Sequence, residues 1–243
     1  MAQRAAIVTG ASSGIGLAIA EMLGEEGYGL TVAARRPEKL EGAAQGLRDK
    51  GYDVEAVAAA LSEEEGVKSV VAAHRDRFGR LDVLVNNAGV GIGAPVAEID
   101  TRKLDLQLGV NLRSIVLFYR ECVELLRAAG AEHHSALVVN TASIAGKRGQ
   151  PWLSVYSATK GAVVNFTEAM HKELSNEGIK STALCPGFVD TAMTDFVKSQ
   201  VPAEEMITPA DIATAVRMLL RLSPACIVPE IQFIRPGDLM RAT

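Results

Sequence analysis

The sequence predicts an α/β domain: a doubly wound parallel sheet of about seven strands with helices on both faces. Three observations carry that expectation. Short apolar runs alternate with helical segments along the whole chain, and a strand–helix–strand unit closes as a right-handed crossover between parallel strands. The 243 residues show no internal repeat, low-complexity tract or linker, so one domain spanning residues 1–243 is expected. The first apolar run ends in a glycine cluster that opens directly into a helix.

The elements follow in order. Residues 5–9 read as the first strand, 15–23 as a helix and 29–35 as the second strand. Residues 37–50 form a helix with Pro37 in its first turn, where a missing N–H costs nothing. Residues 52–61 are strand-like. They lead into Ser62-Glu63-Glu64-Glu65, expected to be a capping box that opens a helix running to Phe78. Residues 81–86 are the fourth strand, 100–129 a long helical region expected to be broken, and 136–141 the fifth strand. A helix over 155–176 and a sixth strand over 180–185 come next. Thr208-Pro209-Ala210-Asp211 marks a helix start, with a threonine cap, proline at the first helical position and an acid behind it. Residues 227–234 supply the last strand. Between them, residues 187–207 lack regular periodicity and are expected to form a substrate-binding loop or lid.

Composition narrows the function classes. The net charge of −4 provides no global positive field, so neither nucleic acid nor an anionic membrane is the expected partner. Cys122, Cys185 and Cys226 are too widely spaced for a disulfide framework or a metal clamp, and no metal site is expected. With no signal-peptide core and no apolar stretch of bilayer-spanning length, a cytoplasmic protein is expected.

Thr9-Gly10-Ala11-Ser12-Ser13-Gly14-Ile15-Gly16 lies between the first strand and first helix, where a Rossmann-type fold holds a dinucleotide pyrophosphate. Glycines let the backbone approach the phosphates, and the helix N-terminus offers free N–H groups and a positive dipole. The spacing is G-x-x-x-G-x-G rather than G-x-G-x-x-G. About twenty residues further on, an acid would hold the ribose of NAD and an arginine the 2′-phosphate of NADP. Here the second strand ends Ala33-Ala34-Arg35-Arg36. That selects NADP(H), with Arg35 as the main contact and Arg36 as its helper.

Tyr156 and Lys160 stand at i and i+4, on one face of a helix. A phenol, with its pKa near 10, is a poor base at neutral pH, and the neighbouring ammonium is expected to pull that value down. Ser143 can hydrogen-bond a substrate oxygen. The set can move a proton on and off an oxygen while a hydride moves on and off the adjacent carbon.

At these residues the chain resembles the short-chain dehydrogenase/reductase family, in its single-domain branch, over nearly its whole length. Asn86-Asn87-Ala88-Gly89 resembles the segment that steadies the sheet and borders the cofactor. Val110-Asn111-Leu112 resembles the segment carrying the family's catalytic asparagine, and Ser143, Tyr156 and Lys160 match the other catalytic positions. Cys185-Pro186-Gly187, with Val189 and Thr191, resembles the stretch along the nicotinamide. The resemblance implies that Tyr156 is the acid in reduction and the base in oxidation. It also implies that Lys160 lowers the tyrosine pKa and holds the nicotinamide ribose, that Ser143 orients the substrate oxygen, and that Asn111 holds a water in a proton relay. A homotetramer or homodimer is implied too, built on the Tyr156 helix and the long helix before it, with Gly161 and Ala162 permitting close approach.

The chain departs from the family where Ala59-Ala60-Leu61-Ser62 offers no acid to the adenine. Its end, Val228 to Pro236, also lacks the V-D-G-G of the 3-oxoacyl carrier-protein reductase branch. The expected activity is therefore NADP(H)-dependent interconversion of a small carbonyl compound and a secondary alcohol, with 3-oxoacyl thioester reduction as the enzymatic runner-up. A catalytically silent cofactor-sensing regulator is a second class, opposed by the intact set Asn111, Ser143, Tyr156 and Lys160. A nucleotide-sugar epimerase or dehydratase is a third, and would need a further substrate domain.

Other residues are read more plainly. His133-His134 is expected to be a solvated loop, and Cys185 a small buried filler. Lys147 and Arg148 could meet an anionic substrate. Trp152 is a candidate pocket wall, with Val90, Ile92, Phe188 and Met193 as apolar lining.

Overall fold

A computed structural model describes residues 4–236. Seven parallel strands form one sheet in the order β3-β2-β1-β4-β5-β6-β7. They are β1 (Ala5–Thr9), β2 (Gly29–Ala34), β3 (Val54–Ala58), β4 (Val83–Asn86), β5 (Ala136–Thr141), β6 (Ile179–Pro186) and β7 (Glu230–Phe233). Successive side chains on a strand face opposite ways, so a strand covered on both sides reads as continuously apolar. In β1, Ala6 and Val8 enter one core while Ile7 enters the other. Helices α1 (Gly14–Glu25), α2 (Pro37–Asp49) and α7 (Pro209–Arg221) close the first core through Ile19, Leu23, Leu40, Ile212 and Val216. Helices α3 (Glu64–Phe78), α5 (Ser114–His133) and α6 (Ser154–Leu174) close the second through Val70, Phe118, Leu126 and Val163. Each such side chain, fully withdrawn from water, contributes about 1.5–3 kcal/mol.

Because β1 lies between β2 and β4, the connections leave it in opposite directions and a cleft opens at the carboxyl ends of these strands. A buried polar cluster fixes α5 and α6 to the sheet beside that cleft. Asn140 on β5 donates to Tyr119 of α5 at 3.0 Å and to Thr167 of α6 at 2.9 Å, and accepts from Asn86 of β4 at 2.9 Å. Tyr119 Oη–H in turn donates to Ser181 Oγ of β6 at 2.9 Å. With each of these partners sequestered from water, a slide of either helix would strand a buried polar group at a cost of about 1–3 kcal/mol.

The elements fall where the sequence places them, with three corrections and one expected break whose form the structure supplies. β3 and β7 are shorter than their apolar runs, because only Val54–Ala58 and Glu230–Phe233 find a ladder partner. The capping box at Ser62 does not form. Helix α3 starts at Glu64, its cap residue Glu63 makes no side-chain cap bond, and the entry is turned by Glu63 N–H donating to the Ala60 carbonyl at 3.1 Å. The break in the long helical region is a π turn, Gly109–Arg113, between α4 (Thr101–Leu108) and α5. His133 is not solvated: its Nε2 lies 2.9 Å from the buried Asp82, which also takes Arg80 and the Ala5 N–H. The cap on α7 does form, with Thr208 and Asp211 answering each other at 2.8 and 3.2 Å.

Candidate active site

The glycine turn after β1 lines one end of a cleft of about 1210 Å³. Gly10 has φ +68, a region that strains any residue with a Cβ, and a Cβ there would lie 2.9 Å from Ala88 Cα. At Gly16 a Cβ would lie 2.5 Å from the Gly10 carbonyl oxygen, so that glycine lets α1 close on the turn from behind the wall. Ser13 caps α1 without a side-chain hydrogen bond, leaving the N–H groups of the first turn unclaimed by it. Ser12, Ser13, Gly14 and Ile15 face the cleft. A tight backbone cradle at a helix N-terminus suits a pyrophosphate.

The strand ends arrange the rest of that site. Arg35 and Arg36, exposed at the end of β2, line the cleft beside Ala59 to Ser62 after β3. After β4, Asn87 N–H and Ala88 N–H both donate to Thr9 Oγ1, at 2.9 and 3.0 Å, and Thr141 donates to Asn87 Oδ1 at 3.2 Å. These bonds pin the ends of β1, β4 and β5 together and present Asn87, Ala88 and Gly89 to the cleft. After β6, Gly187 N–H donates to Phe233 O at 2.8 Å, and Val189 bridges Ile207. Pro186, Gly187, Val189 and Thr191 therefore form the opposite wall, and a Cβ on Gly14 would touch Thr191 Cγ2 at 3.0 Å. The segment 187–207 consists of short 3-10 turns, Ala192–Val197 and Ala203–Glu205, around that bridge.

Ser143, Tyr156 and Lys160 meet on the cleft floor. Ser143 follows β5 and caps a 3-10 turn, Ile144–Gly146. Its Oγ accepts from Ala145 N–H at 3.1 Å and donates weakly to Pro186 O at 3.4 Å. Gly146 lets this turn lie on α6, since a Cβ there would sit 2.5 Å from the Lys160 carbonyl carbon. Gly161 answers from the other side, its missing Cβ 3.2 Å from Gly146 O, so this glycine serves packing within the chain.

The expected downward pull of Lys160 on Tyr156 is not seen in the structure. Burial pushes the phenol above its ordinary value of 10, and the Ser143 hydroxyl partly offsets that. Lys160 Nζ points instead to the Thr141 carbonyl at 2.6 Å and lies 5.7 Å from the phenol ring centroid. Burial lowers the Lys160 ammonium to about 8. Asn111, in the π turn, is fully buried behind the wall. Its amide accepts from Val90 N–H at 2.8 Å and donates to Val90 O at 2.9 Å and Thr159 Oγ1 at 3.1 Å. The side chain thus holds the loop after β4 against α6.

Of the remaining candidates, Trp152 lines the cleft mouth, as do Val90, Phe188 and Met193, whereas Ile92 does not. Lys147 is not free for an anionic ligand, being paired with Glu230 at 2.7 Å. Cys185 is buried, with its thiol pushed up to about 12. Sequence reading missed the Thr141 carbonyl as the anchor of Lys160, and Phe196, whose ring lies 6.1 Å from that of Trp152. A backbone acceptor leaves no trace in residue type. Phe196 sits in the one segment without periodicity, so no pattern announced its direction. Among the described residues no three His, Cys, Asp or Glu side chains gather as a metal site, and no helix is long and apolar enough to cross a membrane.

The chain is similar to known proteins over most of its length. Residues 4–202 match the family model for short chain dehydrogenase. The chain is 34% identical over 245 residues to "Putative ketoacyl reductase" of Streptomyces coelicolor, covering 93% of each chain. A structure of an actinorhodin polyketide ketoreductase variant with NADPH superposes with a TM-score of 0.85 at 33% identity, covering 96% of this chain and 97% of that one. An alcohol dehydrogenase from the archaeon Thermococcus sibiricus, complexed with 5-hydroxy-NADP, matches with a TM-score of 0.85 at 31% identity and the same coverage.

Proposed function

Because this chain belongs to the short-chain dehydrogenase family, we propose that it is an NADPH-dependent reductase that converts a ketone to a secondary alcohol, with Tyr156 as proton donor. The observation that carries the reading is one cleft holding two kinds of equipment. At one end lie an uncapped helix N-terminus, a glycine cradle and the arginine pair Arg35 and Arg36, where a phosphorylated dinucleotide fits. On the floor lie Ser143, Tyr156 and Lys160.

NADPH, when bound, supplies the hydride that reaches the carbonyl carbon. Arg35 and Arg36 hold its 2′-phosphate, the turn from Gly10 to Gly16 its pyrophosphate, and Asn87, Ala88, Gly89, Pro186, Gly187, Val189 and Thr191 flank it. Tyr156 gives its proton to the carbonyl oxygen. Its raised pKa keeps that proton in place at neutral pH, which suits the reducing direction. The Ser143 hydroxyl accepts from Ala145 N–H at 3.1 Å, and its own proton is held only by a long bond to Pro186 O, so it turns to the same oxygen and fixes its position. Lys160, largely cationic at neutral pH with a pKa of about 8, is turned to the Thr141 carbonyl while the phenol keeps its proton, and swings to the phenolate only once that proton has left. Asn111 contributes by fixing the Val90 backbone, and its amide oxygen, which accepts one bond from Val90 N–H, keeps a second lone pair for a relay water. The segment 187–207 acts as the lid.

A panel of ketones, 3-oxoacyl thioesters and polyhydroxy ketones, followed by NADPH oxidation, tests the reading; oxidation with none of them would defeat it. Reduction of 3-oxoacyl thioesters is the second reading. It is favoured by the similarity to ketoacyl reductases and opposed by the absence of V-D-G-G at the chain end. The protein acts in the cytoplasm as a homotetramer or homodimer, and a monomer in light scattering would contradict that assembly.

A further inference from the structure

Trp152 combines three features that packing alone does not explain. Its φ is +67, a left-handed conformation that is strained for a bulky residue. Its indole is pressed flat on Gly93, where a Cβ would lie 2.4 Å from the ring, and its carbonyl is tied to Ala94 N–H at 2.8 Å. Yet the residue remains 52% exposed, in van der Waals company with the 57% exposed Phe196. Strain has been accepted to hold an aromatic surface open to solvent.

The surface is also concentrated. Among the described residues, eight large apolar side chains are exposed, and four of them, Trp152, Met193, Phe196 and Ile234, line this one cleft. Most polar side chains on the same side are already engaged, with exposed Arg148 the cation at the rim. Lys147 is paired with Glu230 at 2.7 Å, Gln150 Nε2 donates to Arg148 O at 3.1 Å, and Gln232 Nε2 donates to Glu230 at 2.7 Å. Gly91 joins this surface to Tyr156: a Cβ there would lie 3.7 Å from the phenol ring and 4.0 Å from Met193 Sδ, so the two side chains flank one spot.

The geometry points to an aromatic subsite, formed by Trp152 and Phe196 with Met193 lining the same cleft, that selects ketones carrying a planar unsaturated ring next to the reacting carbonyl and discriminates against polyhydroxylated ones. The inference rests on the reductase reading and names its substrate class. A planar ring laid on the free indole face gains both apolar burial and ring–ring attraction. A polyol would bury hydroxyls against the same apolar rings, which offer them no partner in place of water.

Calorimetric titration of the NADP⁺-loaded protein with 1-tetralone and with D-fructose tests this directly, alongside Trp152→Gly and Phe196→Ala. Glycine is at ease at the positive φ, so the first variant removes the ring without forcing the backbone. The expected result is that 1-tetralone binds far more tightly than D-fructose and that each variant weakens 1-tetralone about tenfold, with NADP⁺ affinity unchanged. Should Trp152→Gly also lose NADP⁺, Phe196→Ala decides. Equal binding of the two ketones, or variants that bind 1-tetralone as wild type does, would overturn the subsite. A protein that binds 1-tetralone through Trp152 but oxidises NADPH with no ketone would leave the subsite standing and defeat the reductase reading instead.

Discussion

Arg35 and Lys160 each put a single positive charge on a different part of the cleft. Arg35 lines the cleft at the end of β2 with no acid beside it in the strand, so its guanidinium is free to take a 2′-phosphate. Arg35→Asp is expected to weaken NADPH at least about tenfold, the worth of a hydrogen bond to a charged group, while NADH is held as before. Equal loss for both cofactors in a binding titration would contradict the role. Lys160 is a cation whose pKa burial has lowered to about 8. It carries its charge below that value and loses it above, so kcat/KM for ketone reduction is expected to fall as pH rises through about 8. Lys160→Arg, which keeps its charge throughout, is expected to move that limb upward in a pH–rate profile. Sequence made the two legible to different degrees. Residue type and spacing were enough to mark Arg35. They marked Lys160 as well, but not its partner: the Thr141 carbonyl takes the ammonium, and every residue has a carbonyl.

The turn Ile144–Gly146 and helix α6 are the two elements that bring Ser143 to Tyr156. Their approach is set by glycine, because Gly146 lies where a Cβ would stand 2.5 Å from Lys160 C and 2.7 Å from Gly161 N. Both neighbours are backbone of a helix and cannot step aside. Gly146→Ala is therefore expected to push the Ser143 turn off α6 and lower kcat by up to about a hundredfold, the cost of misplacing a catalytic group by about 1 Å. NADPH affinity is expected to change less than about twofold, because the cofactor end of the cleft is built on other strand ends. Steady-state kinetics beside cofactor titration separates the two. Elements themselves were readable where periodicity or caps decide, as at Thr208–Asp211. They were not where tertiary contacts decide: the acidic run after Ser62 looked like a capping box, but backbone bonds to Ala60 turn the chain there instead. The break before α5 was foreseen, whereas its π geometry, which buries Asn111 against Val90, follows from packing between segments distant in sequence.

At the scale of the whole molecule, strand order explains why a site assembled from residues 10 to 234 is one cleft. The reversal at β1 sets the ends of β2, β3, β4, β5 and β6 around a common opening. That arrangement was legible because parallel α/β sheets place ligands at the carboxyl ends of their strands. The shape of the cleft mouth was not, because the positive φ of Trp152 and its contact with Phe196 join two segments that no periodicity relates. If this cleft reduces a ketone with NADPH, as proposed, the proton of Tyr156 decides the rate. The most direct measurement is the rate of NADPH oxidation with a reducible ketone by wild type and by Tyr156→Phe, with NADPH binding measured on both. The expected result is turnover by wild type and a loss of at least about a hundredfold in the variant, the lower end of general acid catalysis, at undiminished cofactor affinity. Turnover by Tyr156→Phe at the wild-type rate would contradict it.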